Sequence, residues 1–148
     1  MIDVIIGIDP GKSGGVAVLF ADGKMEAYKM PETERDINDI FEEVAHLGNC
    51  VAYLEKVHSM PGQGVSSTFT FGKGYGFLRG CLVANKIRFV DVTPQSWQKA
   101  LGVTKSDSKK EHKNKLKGMA QQLRPELKIN LATADAILIA EYAKKQEG

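Results

Sequence analysis

Along the chain, hydrophobic positions first cluster in short runs and later recur at helical spacing. Val4-Ile5-Ile6-Gly7-Ile8 is a β-branched run that ends on Asp9 and is followed by Pro10-Gly11-Lys12-Ser13-Gly14, after which Gly15 to Phe20 resumes the apolar pattern. Strand, Gly/Pro-rich turn and strand together predict a hairpin. Asp22-Gly23 marks a second tight turn, and Lys24 to Met30 makes a third strand. From Thr33 to Leu47, the residues Ile37, Ile40, Phe41, Val44 and Leu47 keep helical spacing, and Gly48 closes the helix. Cys50 to Leu54 is another buried strand, and it too ends on an acid, Glu55. A Gly/Ser-rich connection over 59–67 leads into a long helical pattern through Asn85, and Ile87 to Val92 predicts a fifth strand. Thr93-Pro94 is an N-cap with proline at the first helical position, opening a short helix to Leu101 with Gly102 as its stop. A lysine-rich helix follows to the neighbourhood of Leu123, before Pro125, and a last helix runs from near Thr133 to near Lys145.

The predicted order, βββαβαβααα, describes an α/β protein with a five-stranded mixed sheet, its three leading strands antiparallel, flanked by helices. No repeat, low-complexity tract or linker interrupts it, so residues 1–148 are expected to form a single domain. The longest apolar runs are far too short to cross a bilayer, and Met1-Ile2-Asp3-Val4 lacks the basic start of a signal peptide. A cytoplasmic protein without a membrane partner is therefore expected. Cys50 and Cys81 show no CxxC spacing and are read as reduced, buried thiols.

The net charge of +2 conceals a strong segregation. Between Asp22 and Glu55, nine acids face three basic residues; between Lys99 and Lys117, seven lysines face only Asp107 and Glu111. A polarised surface of this kind suits a polyanion on its basic side, while the plainer reading is a solvated lysine-rich helix. The lysines are poorly interleaved with acids at i,i+4, which weakens the plainer reading.

Three acids stand in apolar settings. Asp9 and Glu55 each end an apolar strand, and Asp135 opens the apolar stretch Ala132-Thr133-Ala134-Asp135-Ala136-Ile137. Were the first and fourth strands parallel neighbours, both strand-ending carboxylates would emerge at one sheet edge, where ligands bind in open α/β sheets. A buried carboxylate is costly unless paired or bound to a metal. Each acid alone is most simply a cap or turn residue. Together, beside a polycationic helix, they point to Mg²⁺-assisted attack on a phosphodiester, because hard cations prefer carboxylate oxygens.

Ile8-Asp9-Pro10-Gly11 with Ser13-Gly14-Gly15, Leu54-Glu55-Lys56-Val57, and Thr133-Ala134-Asp135-Ala136 resemble the acidic motifs of the RuvC family of Holliday junction resolvases. The likeness is to its compact, phage-type members and covers nearly the whole chain. It implies an RNase H-like fold and a homodimeric, Mg²⁺-dependent endonuclease that nicks four-way DNA junctions symmetrically, with no nucleotide cofactor. Asp9, Glu55 and Asp135 would be metal ligands for two Mg²⁺ per site, with Mn²⁺ able to substitute. A catalytic lysine at the scissile phosphate matches Lys109 or Lys110, and Lys73, Lys105, Lys113 and Lys117 join them as expected DNA contacts.

One position departs from the family pattern. The residue three before the last acid is usually a fourth metal-site Asp or His, and here it is Ala132. Glu141 lies about 240° around a helix from Asp135 and is poorly placed to replace it, which leaves His58 and His112. A weakened second cation position follows from that departure. The stretch Phe69 to Gly80 is unusual for a helix, with Gly72, Gly76 and Gly80 at i, i+4, i+8. It reads either as a glycine-rich loop over the active site or as a dimer-interface helix, with Phe69 and Phe71 as base-stacking or core residues. Outside symmetric junction resolution, a flap or branched-DNA nuclease, a nucleotide-binding lobe of the actin and sugar-kinase type, and a non-catalytic DNA-binding module stay open.

Overall fold

The computed structural model describes residues 1–57 and 62–148. Among the described residues, ten elements follow in the predicted order: β1 (Val4–Asp9), β2 (Gly15–Phe20), β3 (Met25–Lys29), α1 (Glu34–Ala45), β4 (Cys50–Glu55), α2 (Val65–Ala84), β5 (Arg88–Val92), α3 (Pro94–Ala100), α4 (Lys109–Leu123) and α5 (Leu131–Glu147). The sheet order is β3-β2-β1-β4-β5. β1 to β3 form the antiparallel meander, while β1–β4 and β4–β5 are parallel. The mixed α/β sheet expected from the hydrophobic pattern is therefore present.

Two helical layers cover the sheet, and the period of two along each strand sorts residues between them. Val4, Ile6 and Ile8 of β1 and Cys50, Ala52 and Leu54 of β4 pack with Phe41 of α1 and Leu78, Cys81 and Leu82 of α2. The opposite face takes Val51 and Tyr53 together with Trp97 of α3, Leu116 and Ala120 of α4, and the core of α5. Both cysteines are buried free thiols, as expected.

α5 is the central helix, with Ala136, Ile137, Leu138, Ile139 and Ala140 fully buried. It lies directly on β1 because Gly7 has no side chain: a Cβ there would collide with the Ala136 carbonyl and lie 2.6 Å from the Ala140 nitrogen. At Gly15, the register partner of Asp9, a Cβ would lie 2.6 Å from the Ala132 carbonyl oxygen. The N-terminal turn of α5 is thereby held over the edge where β1 ends.

Two boundaries differ from the sequence expectation. α5 begins two residues before Thr133, because the Asn130 side chain accepts from the Thr133 amide at 3.1 Å and Thr133 reciprocates in a capping box. The stretch read as either loop or helix is one continuous helix, α2, whose buried residues Leu78, Cys81 and Leu82 lie in its C-terminal half. Thr93 caps α3 with Pro94 in its first turn, as predicted. No helix among the described residues is long and apolar enough to cross a membrane.

Candidate active site at the sheet edge

β1 and β4 run parallel in a register that pairs Ile8 with Leu54, so Asp9 and Glu55 occupy the next step on neighbouring strands. Asp9 continues the side of β1 that carries Ile5 and Gly7, and Glu55 continues the side of β4 that carries Val51 and Tyr53. Both therefore belong to the face that α5 covers, and Asp135 enters from α5 itself. Parity along two strands and the seating of one helix on Gly7 bring the three acids to one place.

Their electrostatics show that proximity. Asp9 is pushed up to about 8, first by burial and then by the charges of Asp135 and Glu55, with Lys113 pulling the other way. Glu55 is pushed up to about 7, chiefly by burial, with a hydrogen bond from Trp97 opposing and Asp135 adding. Burial also raises Asp135, against the opposing charges of His112 and Lys113. Three mutually repelling carboxyls held away from water are an unfavourable arrangement for a chain to maintain alone. Among the described residues, no group of three or more His, Cys, Asp or Glu side chains forms a ready-made metal cage. The donor set nevertheless has the chemistry of a hard-cation site: oxygen ligands only, partly buried, and carboxyls whose ionised forms a cation would stabilise.

The basic residues divide by position. Lys113, one turn into α4, is the lysine whose charge acts on both Asp9 and Asp135. Lys109 and Lys110 lie exposed in the first turn of α4, and neither is among the charges shifting the three carboxyls. Lys105 and Lys73 are exposed, and Lys117 is partly buried. Lys115 serves the fold instead. Its Nζ donates to the Thr104 carbonyl, the Thr104 hydroxyl and the Lys105 carbonyl, each at 3.1 Å, and ties the α3–α4 connection to α4.

Around Ala132, Glu141 is engaged elsewhere, accepting from Arg124 Nε at 2.6 Å in a largely buried ion pair. His112 has its Nδ1 3.2 Å from Ser106 Oγ and its Nε2 2.8 Å from Gln98 Oε1, while its charge reaches Asp135. His58 lies outside the described residues. Phe71 packs against the β1–β2 turn, where a Cβ on Gly11 would lie 2.9 Å from its ring. Phe69, by contrast, is 73% exposed. An open cavity of about 960 Å³ lies beside this contact, bounded by the turn, the β3–α1 connection and α2, with Lys12, Phe71, Lys73 and Phe77 among its walls.

Sequence reasoning missed Trp97, whose indole Nε1–H donates to Glu55 Oε2 at 2.8 Å. The available signal was its place on a capped helix following β5: a buried indole requires an acceptor. The acceptor's identity depends on the β4–β5 register, which pairs Glu55 with Val92 at the end of β5.

No family model matches the chain, and no curated protein is significantly similar to it in sequence. Solved structures are similar in fold. RuvC of Thermus thermophilus in complex with a Holliday junction substrate superposes with a TM-score of 0.59 at 16% identity, over 98% of this chain and 96% of that one. A second Thermus thermophilus RuvC structure gives 0.57 at 15% identity, over 97% and 96%. The fold is thus that of RuvC, the RNase H-like arrangement that the acidic motifs led us to expect.

Proposed function

We propose that this chain is a metal-dependent endonuclease that resolves four-way DNA junctions. The observation that carries the reading is the placement of Asp9 and Glu55 at adjacent strand ends under the first turns of α5, which carries Asp135, with the charge of Lys113 acting on Asp9 and Asp135, in a fold like that of RuvC. The similar Thermus thermophilus protein bound to a Holliday junction substrate supports branched DNA as the ligand class.

Asp9, Glu55 and Asp135 would hold Mg²⁺, or Mn²⁺ in its place. A cation held by them would supply Lewis-acid polarisation of the phosphodiester and make a water more acidic. The chain's own residues position and neutralise. β1 and β4 fix two carboxylates in adjacent register, and α5 adds the third. Lys113 brings positive charge to the same edge, where a scissile phosphate needs it. Lys109 and Lys110 lie one turn earlier on α4 and, with Lys105, Lys117 and Lys73, bind backbone phosphates. That contribution carries no sequence information and falls steeply with salt. Symmetric cutting needs two such sites, and a homodimer paired through α2 supplies them: Gly72, Gly76 and Gly80 leave an open face on that helix, with nothing within 4 Å of a Cβ built at any of them.

The test is cleavage of four-way, flap and linear duplex DNA of matched sequence with Mg²⁺. Paired nicks on the four-way junction, with the duplex left intact, are expected. Flap cutting without paired junction nicks would favour a general branched-DNA nuclease. Tight junction binding with no cleavage in Mg²⁺ or Mn²⁺ would overturn the reading in favour of a non-catalytic binding module.

A further inference from the structure

We infer that Trp97 is a positioning residue for Glu55: its indole N–H fixes one carboxylate oxygen, so that the other is presented to a divalent cation. The inference rests on the reading of Glu55 as a cation ligand and names what holds that ligand in place.

The placement begins in the backbone. β5 ends at Val92, the register partner of Glu55, and the Lys56 amide donates to the Val92 carbonyl at 2.7 Å. The chain then turns at once into α3, where the Thr93 hydroxyl accepts from the Ser96 amide at 3.1 Å and Pro94 opens the helix. α3 therefore leaves the sheet beside Glu55 with a fixed starting direction. Trp97 on this helix is fully buried, at 0% exposure, so its ring has one seat. From that seat Nε1 donates to Glu55 Oε2 at 2.8 Å.

Filling the core does not require this donor. A phenylalanine would occupy most of the same space without a polar atom. A buried indole instead obliges the fold to supply an acceptor, and here the acceptor is an ionisable side chain at the candidate site. A hydrogen bond to a ligating carboxylate orients it, and loss of such an outer partner weakens metal binding about 10- to 100-fold.

Gln98, the next residue, acts toward α4. Its Oε1 lies 2.8 Å from His112 Nε2, in the turn of α4 that also carries Lys113. Two consecutive residues of α3 thus hold the carboxylate on one side and the cationic helix on the other. Trp97 is also the only tryptophan in the chain, so its emission reports on Glu55 without any label.

The experiment titrates Mg²⁺ into the metal-free full chain, following tryptophan fluorescence and calorimetric heat. Three variants accompany it: Glu55→Gln, Trp97→Phe, and a chain with Trp97 replaced by β-(3-benzothienyl)alanine, which keeps the ring shape and substitutes sulfur for the N–H. Wild type should show a saturable fluorescence change that Glu55→Gln abolishes. Both Trp97 replacements should bind Mg²⁺ about 10- to 100-fold more weakly by calorimetry, while the benzothienyl chain keeps the wild-type melting temperature. Wild-type Mg²⁺ affinity in the benzothienyl chain overturns the positioning role, and that arm decides should Trp97→Phe fail to fold. Wild type that takes up no Mg²⁺, or Glu55→Gln that binds it as tightly, overturns Glu55 as a ligand, and the inference falls with it.

Discussion

At Asp9 and Glu55 folding works against ionisation. Free carboxyls of these types titrate at 3.8 and 4.5, whereas in the folded chain burial first, and then the nearby charge of Asp135, place them at about 8 and about 7. Groups raised in this way contribute most stability when protonated, below the unfolded values, and that contribution is lost as pH climbs through the folded ones. In the metal-free protein, wild type should therefore lose thermal stability relative to Asp9→Asn as pH rises from 4 to 8, and saturating Mg²⁺ should close the gap at pH 8. Paired melting curves across that range check this; a constant difference between the two proteins would contradict it. The strand-ending acids were legible in the sequence because an ionisable residue closing a β-branched run is conspicuous. The Trp97–Glu55 bond was not, since it joins residues 42 apart through a register that no local pattern encodes.

Among the elements, the strands and the capped helices followed from period and capping; the glycine-rich part of α2, left open as loop or helix, and the seating of α5 did not. The one hint of that seating was Gly7 inside an otherwise β-branched strand, which marks a close backbone approach. Gly7→Ala forces a methyl into the Ala136 carbonyl, and neither backbone can yield without shifting the sheet edge. Overpacking of this kind costs about 1–3 kcal/mol, so denaturant unfolding should show a loss in that range, with cleavage falling as well because Asp9 lies two residues away. Unchanged stability would mean that α5 is not pinned there. α2 calls for the opposite expectation. Gly76 has open space where a Cβ would be, so Gly76→Gln should leave the isolated chain as stable or stabilise it by up to about 1 kcal/mol. In a dimer paired through that face the same change separates the helices. Analytical ultracentrifugation should find weakened dimers of normally folded protein, and undiminished association would place the interface elsewhere.

For the whole molecule, the near-neutral sum of charges is the least informative number in the sequence. What matters is that an acidic region contributing Asp9's partner Glu55 and a basic helix contributing Lys113 fold onto one edge. Segregation of charge was legible along the chain; the meeting of the two regions was not, because it depends on α4 and α5 packing across the sheet. Ala132 shows the same limit: its lack of a donor is plain in the sequence, yet only the structure shows Glu141 tied to Arg124 and His112 engaged by Ser106 and Gln98. If the acidic edge is where phosphodiesters are cut, binding and cutting must separate when one acid loses its charge. Asp9→Asn and wild type are therefore compared on a four-way junction, with affinity read in Ca²⁺ and nicking in Mg²⁺. The variant should bind the junction within a fewfold of wild type and produce no detectable nicks. Nicking near the wild-type rate by Asp9→Asn would contradict a metal-dependent nuclease site built on this acid.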